Sequence, residues 1–528
     1  MNPTGLKSSL NSQRNDYFNP QRLHLTIYKK INKQMKTYKN IMLQKWFMTV
    51  LTATALFSAS CKKSFLDVDP QGQQQATQFW QTQEDATKAV NAIYANLRTW
   101  ENVAFPALAI ESTASDEADK GSTPTDAAFF NLYDTFTVTS TEGSLQSFWT
   151  GQYQNINLCN QVLDNIPAIT MDAALKARYI AEAKFVRAYS YFRLVRAYGD
   201  VPLRVNVPKD ATEYNIPRTD KATVYAQIEQ DLTEAAAALP PSYGAADLGR
   251  ATKGAALGMH AKVAMYQKKW GDVLTLTNEV MGLGYDLFPD FEKGFRTTNE
   301  NNIESVFEIQ AELVQGNADA SNSQYSQVQG VAGVPAGGWG FNTPSAVLAD
   351  AFEPGDPRRD ATIIFKGETT PEGDFIPTTV PNERYNQKSY VPFSLYVSGF
   401  NQGAQQNIRV LRFADILLMN AEAANEQGNP GQARTSLNRV RARARGTNAS
   451  ILPDVTTSDQ AALRTAIYKE RQVELAMESD RYFDVIRQGR ALEVFGPKGW
   501  KANKNEVWPV PQNEIDLSGG LLTQNPGY

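Results

Sequence analysis

The sequence predicts a mainly α fold, an α-α superhelix of helix hairpins interrupted by one large loop-rich excursion with a few short strands. Three observations carry this. Apolar residues recur at three- and four-residue steps through much of residues 84–282 and again through 412–488, the period of a single buried helix face. Two stretches, Thr252 to Met281 and Arg412 to Arg443, share the order helix, short turn near a glycine, helix. Their small residues Ala255, Ala261, Ala421 and Ala424 permit close antiparallel crossing, the pattern of tetratricopeptide-type hairpins. Between them, residues 283–407 lose the helical period and become dense in Gly, Pro, Asn and aromatic residues.

The chain has 528 residues, 42% of them hydrophobic and 20% charged, a balance that excludes both a disordered and a polytopic membrane protein. Residues 1–34 read as an extension ahead of the true start at Met35. From there, lysines at 36, 39 and 45 precede an apolar run from Trp46 to Phe57 and the small residues Ser58-Ala59-Ser60 before Cys61. That layout predicts an export signal over 35–60, with Cys61 acylated as the new N-terminus and 61–82 as lipid anchor and tether. Ser58 stands where a leucine is usual, and an uncleaved membrane anchor is the alternative.

Asp16 is the only acid in the first sixty residues, so their removal makes the formal net charge of −4 more negative. An acidic surface argues against nucleic acid as a partner, because phosphate binding needs clustered cations.

Residues 83–282 read as an N-terminal helical region. Helices are predicted over Glu84 to Arg98, Ser144 to Ile166, Ala173 to Tyr198, Thr219 to Leu239 and the 252–281 hairpin, with a long irregular loop from Thr99 to Glu142. Within Ala181 to Leu203, the residues Phe185, Ala188, Phe192, Val195 and Tyr198 form one packing stripe, and Arg187, Arg193 and Arg196 fall mostly off it. Gly199 stops this helix and Asp200-Val201-Pro202 forces an extended exit. The excursion 283–407 carries a strand at Ser305 to Gln310 and a short helix around Ser345 to Phe352. The C-terminal region, 408–528, returns to helix over 412–427, 432–443 and one long stretch, Asp459 to Gln488.

Enzymatic chemistry finds little support. After Met35 the chain holds one histidine, His260, on an alanine-rich helix, and Cys159 is remote from it, so neither a nucleophilic relay nor a zinc site is expected. No twelve-residue calcium loop is present, and no cofactor is expected. The acids Asp116, Glu117 and Asp119 offer a carboxylate pair for glycoside hydrolysis, but they read more simply as a solvated acidic loop. Glu470, Arg471, Glu474, Glu478, Arg481, Asp484 and Arg487 stand at helical spacing and read as a charge-laced helix face with a structural role.

Binding is better served. Flat aromatic rings stack on the apolar face of a pyranose, while amides and carboxylates fix its hydroxyls. The first loop offers Trp100, Asn102 and Asp116; the excursion offers Tyr325 beside Gln324 and Gln327, then Trp339, Phe341 and Asn342 within Gly337-Gly338-Trp339-Gly340-Phe341-Asn342.

Several ordered blocks resemble the SusD/RagB lipoproteins. They are Cys61 with Phe65-Leu66-Asp67 and Pro70-Gln71; the stretch ending Tyr198-Gly199-Asp200-Val201-Pro202-Leu203; Arg412-Phe413-Ala414-Asp415 with Leu437-Asn438-Arg439-Val440-Arg441; Glu470-Arg471 to Arg481-Tyr482-Phe483-Asp484; and the close Asn525-Pro526-Gly527-Tyr528. The resemblance implies an α-helical, outer-membrane, lipid-anchored protein at the cell surface, without enzymatic activity. It would sit over a SusC-like TonB-dependent transporter and pass it an oligosaccharide. Other members are thought to take peptides or other nutrients. The resemblance also implies that the two aromatic-bearing loops face the ligand together.

Overall fold

Helices begin where the sequence supplies caps. The backbone N–H of Asp85 donates to the Thr82 hydroxyl (3.2 Å) while the Asp85 carboxylate accepts from the Thr82 N–H (2.9 Å), a capping box that opens α1 (Gln83–Leu97). The computed structural model describes residues 79–210, 213–313, 323–334, 337–396 and 405–528, with Met35, Tyr38, Met42, Trp46 and Met48 upstream as exposed helical residues. Residues 79–528 form one unit and the upstream residues another. Cys61, the tether up to Gln78 and nearly all of the predicted signal lie outside the described residues. Among the described residues no helix is long and apolar enough to cross a membrane.

The stretch after α1 is not one irregular loop. It holds α2 (Trp100–Val103), α3 (Phe105–Leu108), a π turn (Ala109–Thr113), β1 (Ala118–Gly121) and α4 (Phe130–Asp134). Its Ala- and Phe-rich residues, among them Ala104, Ala107, Leu108, Ile110 and Phe130, are buried, and these short elements bend the chain through the core. Helical periodicity over four or five residues is too brief to be read from sequence.

The helices α5 (Gly143–Asn165), α6 (Ala173–Tyr198), α7 (Lys221–Ala238), α8 (Lys253–Tyr266) and α9 (Trp270–Met281) follow, α5 packing on α1 and each later one on its predecessor. The predicted stripe of α6 is buried, and so are the arginines expected beside it. Arg187 makes two 2.8 Å bonds to Asp231 of α7, and Arg193 reaches Glu111 at 2.9 and 2.7 Å. Neighbours flank α6 on two sides, so its polar face is interior, and paired guanidinium groups are how a buried helix tolerates it. Gly199 ends α6 at φ +73°, a conformation open to glycine.

The excursion contributes β2 (Ser305–Ile309), α10 (Tyr325–Gln329), β3 (Phe341–Pro344), α11 (Ala346–Ala349), α12 (Arg358–Thr362), β4 (Ile363–Phe365) and β5 (Arg384–Asn386), and β6 (Ile408–Arg412) opens the C-terminal region. The strands form three antiparallel pairs, β1 with β3, β2 with β6 and β4 with β5. The second hairpin, α13 (Phe413–Glu426) and α14 (Pro430–Arg445), packs on the first through α9 and α13. Ala255, Ala261, Ala421 and Ala424 are fully buried there.

The predicted helix Asp459 to Gln488 is two helices, α15 (Gln460–Glu474) and α16 (Arg481–Arg487), broken where Met477 and Ser479 take φ of +63° and +68°. The charges along it are structural, as expected, but interior. Glu474 is fully buried and meets Arg358 (3.0 Å), Arg412 (3.2 Å) and Arg443. Burial alone would raise this carboxyl, yet those guanidinium groups hold it down at about 2. The short helices α17 (Ala491–Phe495) and α18 (Gln512–Leu517) complete the chain.

Candidate functional site

The pairing of β1 with β3 brings the two aromatic-bearing segments to one place. Gly121 lies opposite Phe341 and Asp119 opposite Thr343, so the segment after α1 and the excursion share a two-stranded sheet. Ser122 N–H also donates to Gly340 O at 2.7 Å.

Trp100 is the first residue of α2, directly after the Thr99 cap position. Its ring centroid lies 5.1 Å from Phe105 and 6.1 Å from Trp339. Phe105 in turn meets Trp339 at 5.7 Å, Phe341 at 4.7 Å and Phe130 at 4.8 Å, mostly edge to face. Such edge-to-face pairs each add about 0.5–1.5 kcal/mol beyond area burial. Phe130 and Phe341 are interior, while Trp100, Phe105, Phe129 and Trp339 are half-buried. The arrangement is an aromatic core with two indoles at its edge.

Glycines make the Trp339 loop possible. Trp339 N–H donates to Gln327 O (2.8 Å) and Gly340 N–H to Gly330 O (2.9 Å), folding the loop back on α10. A Cβ on Gly338 would lie 2.5 Å from Gln327 O and 2.6 Å from Gly330 Cα, a clash with rigid backbone on both sides.

The predicted polar residues hold this platform instead of facing outward. Asn102 is 1% exposed and its amide is fully used. Its Nδ2 donates to Asn96 O (2.8 Å) and Thr99 Oγ1 (3.0 Å), and its Oδ1 accepts from Gln152 (2.8 Å) and Asn155 (3.1 Å) of α5. Asn342, also buried, accepts from Thr113 Oγ1 (2.9 Å) and donates to Gln329 Oε1 (3.0 Å). Phe341 is 2% exposed. These three act as supports: each is at most 2% exposed, and the two amides spend their hydrogen bonds inside the protein.

Asp116 is likewise interior, held by Arg481 through bonds of 2.7 and 2.8 Å. Glu117 is 1% exposed, and burial pushes its carboxyl up to about 8 against the pull of Arg481. Asp116 and Glu117 of the expected solvated acidic loop are therefore buried, the first under Arg481 of α16, while Asp119 on β1 is half-buried. Neither of these two carboxyls is open to a substrate, so of the three acids offered for glycoside hydrolysis only Asp119 keeps partial exposure.

Tyr325 stands at the start of α10, half-buried, its phenol pushed up to about 12 by burial. It lines a cavity of about 70 Å³ together with Asn102, Val103, Arg193 and Arg409, a lining that includes neither Trp100 nor Trp339. His260 is half-buried on α8, with burial lowering its pKa. Trp149 is buried, and Trp80 and Trp270 pack on the core.

Sequence reasoning passed over Phe105 as a contact and Phe129 altogether. A phenylalanine five residues after a tryptophan at a helix break was the only local signal, and the cluster forms only through long-range pairing.

Two family models match in chain order. Residues 64–265 match one described as "Starch-binding associating with outer membrane", and residues 303–506 match the SusD family. The chain is 28% identical over 496 residues to a SusD-like protein, P2, of Formosa agariphila, covering 88% of this chain and 96% of that one. A solved laminarin-binding SusD-like protein superposes with a TM-score of 0.75 at 29% identity, over 85% of this chain and all of the other. Surface glycan-binding protein A of Bacteroides thetaiotaomicron, solved with laminarihexaose, shares the fold with a TM-score of 0.72 at 24% identity, over 84% and 99%.

Proposed function

This chain belongs to the SusD family, and from that premise we propose that it is a surface-held oligosaccharide-binding protein serving a TonB-dependent outer-membrane transporter of the SusC type. Trp100 and Trp339 stack on the sugar, with Tyr325 at the margin of the same site. Asn102, Phe341, Asn342 and Asp116 keep the platform in shape. Acylated Cys61 anchors the mature chain in the outer membrane, at the cell surface.

The observation that carries this reading is the pair of half-buried indoles 6.1 Å apart on backbone fixed by the β1–β3 pairing. A rigid aromatic edge presents a CH-binding surface at low ordering cost. The laminarin ligand named for a structural relative supports a glucan as ligand class.

The reading is tested by isothermal titration of residues 79–528 against laminarihexaose, maltohexaose, cellohexaose and a set of short peptides. Binding of an oligosaccharide and of no peptide is expected. Binding of peptides alone overturns the sugar assignment and leaves the fold intact.

A further inference from the structure

Helix α5 turns a second face to a groove. Gln152 and Asn155 point to Asn102, whereas Trp149, Thr150, Tyr153, Gln154 and Asn157 line a groove of about 400 Å³. At 100° per residue these two sets lie about half a turn apart, so the groove and the Trp100 platform are on opposite sides of a helix about 10 Å across. The other walls are Pro202, Arg204, Pro208, Tyr214, Asn215 and Ile216, together with α18.

The groove has the parts that recognise a neutral sugar. Tyr214 is 59% exposed and makes no ring contact among the described residues, so a ring face is open. Its position is fixed from behind. Arg204 donates to the carbonyls of Glu213 (2.7 Å) and Tyr214, and its own backbone is tied to α6 by Tyr191, whose hydroxyl donates to Arg204 O (2.8 Å). Tyr153 is held by a 2.7 Å bond from its hydroxyl to Pro202 O. On α5 beside Tyr153, Gln154 and Asn157 are exposed and make no side-chain hydrogen bond among the described residues.

The charges at the rim are already engaged. Arg204 spends its guanidinium on the two carbonyls, and Glu514 accepts from Gln146. What remains open is the Tyr214 ring, the Gln154 and Asn157 amides and the apolar side chain of Leu517, suited to the CH face and hydroxyls of an uncharged pyranose and not to an acidic one. We infer that this groove, formed by Tyr153, Gln154, Asn157, Arg204 and Tyr214, is a second binding subsite for a neutral oligosaccharide, on the face of α5 opposite Trp100.

The test uses residues 79–528 carrying W100A/W339A, titrated with laminarihexaose, maltohexaose, cellohexaose, xylohexaose and mannohexaose at millimolar concentration. Y214A/N157A is then added; both are surface changes, and an unchanged melting temperature verifies folding. The expected result is binding of at least one hexasaccharide by the W100A/W339A protein, weakened tenfold or more by Y214A/N157A. Absence of binding by the W100A/W339A protein to all five sugars overturns the inference, as does binding that Y214A/N157A leaves unchanged. A Gly-Pro-Leu-Ile-Gly peptide that binds in place of every sugar and is lost with Y214A/N157A also overturns it, making the groove a peptide surface. Failure of the Trp100 platform has a different signature: the wild type then binds sugar as well as W100A/W339A does, whatever the groove variants show.

Discussion

The indole of Trp339 lies 6.1 Å from that of Trp100, tilted by 54°, with Phe105 wedged against both. The two rings are brought together by the pairing of Gly121 with Phe341, so the site is as rigid as that two-stranded sheet.

Because the rings touch, their contributions to binding are coupled. Trp100→Ala and Trp339→Ala should each weaken oligosaccharide affinity by about 1–3 kcal/mol, and the double variant should lose less than the sum. A titration series over the four proteins measures this; strictly additive losses would separate the two residues into independent contacts.

Gly338→Ala places a Cβ 2.5 Å from Gln327 O and should displace the Trp339 loop. The expected cost is about 1–3 kcal/mol in stability, with a loss of oligosaccharide affinity similar to that of Trp339→Ala. Chemical denaturation and titration are read together. Unchanged affinity would mean that the loop adjusts without moving the indole.

Asn102→Ala removes a side chain that makes four hydrogen bonds and leaves the amides of Gln152 and Asn155 short of a partner. A stability loss of about 1–3 kcal/mol follows from the unpaired groups. A variant of wild-type stability with lost sugar affinity would reverse the assignment of Asn102 as a support.

Burial pushes Glu117 up to about 8 from its ordinary 4.5, so the native state holds one proton more than the unfolded chain between those values. Stability from this group is therefore present below pH 4.5 and declines as pH rises toward 8. Glu117→Gln, neutral throughout, should flatten that decline, by an amount on the order of a few kcal/mol between pH 5 and 8. Parallel stability curves for variant and wild type would show Glu117 ionised in the fold.

The helical framework was legible in the sequence because its period is local. Ala173–Tyr198 was read to the residue, and the hairpins 253–281 and 413–445 to within a few residues. The break between Glu474 and Arg481 was not, since Met477 and Ser479 adopt positive φ without a glycine to announce it. Charges misled most. Asp116, Glu117 and Arg193 look solvated in a list of residues, and only the long-range partners Arg481 and Glu111 explain how they are buried. At the site, Trp100 and Trp339 stood out as aromatic residues on irregular backbone, whereas Asn102, Phe341 and Asn342 shared that neighbourhood and are interior. Exposure is set by packing across hundreds of residues, which no local pattern records.

Whether this chain holds an oligosaccharide on the Trp100 and Trp339 platform is decided by a crystal structure of residues 79–528 with the tightest-binding hexasaccharide. A pyranose ring packed face-on against at least one of the two indoles, at about 4 Å, is the expected result. Clear sugar density elsewhere on the protein, with both indoles bare, would contradict it.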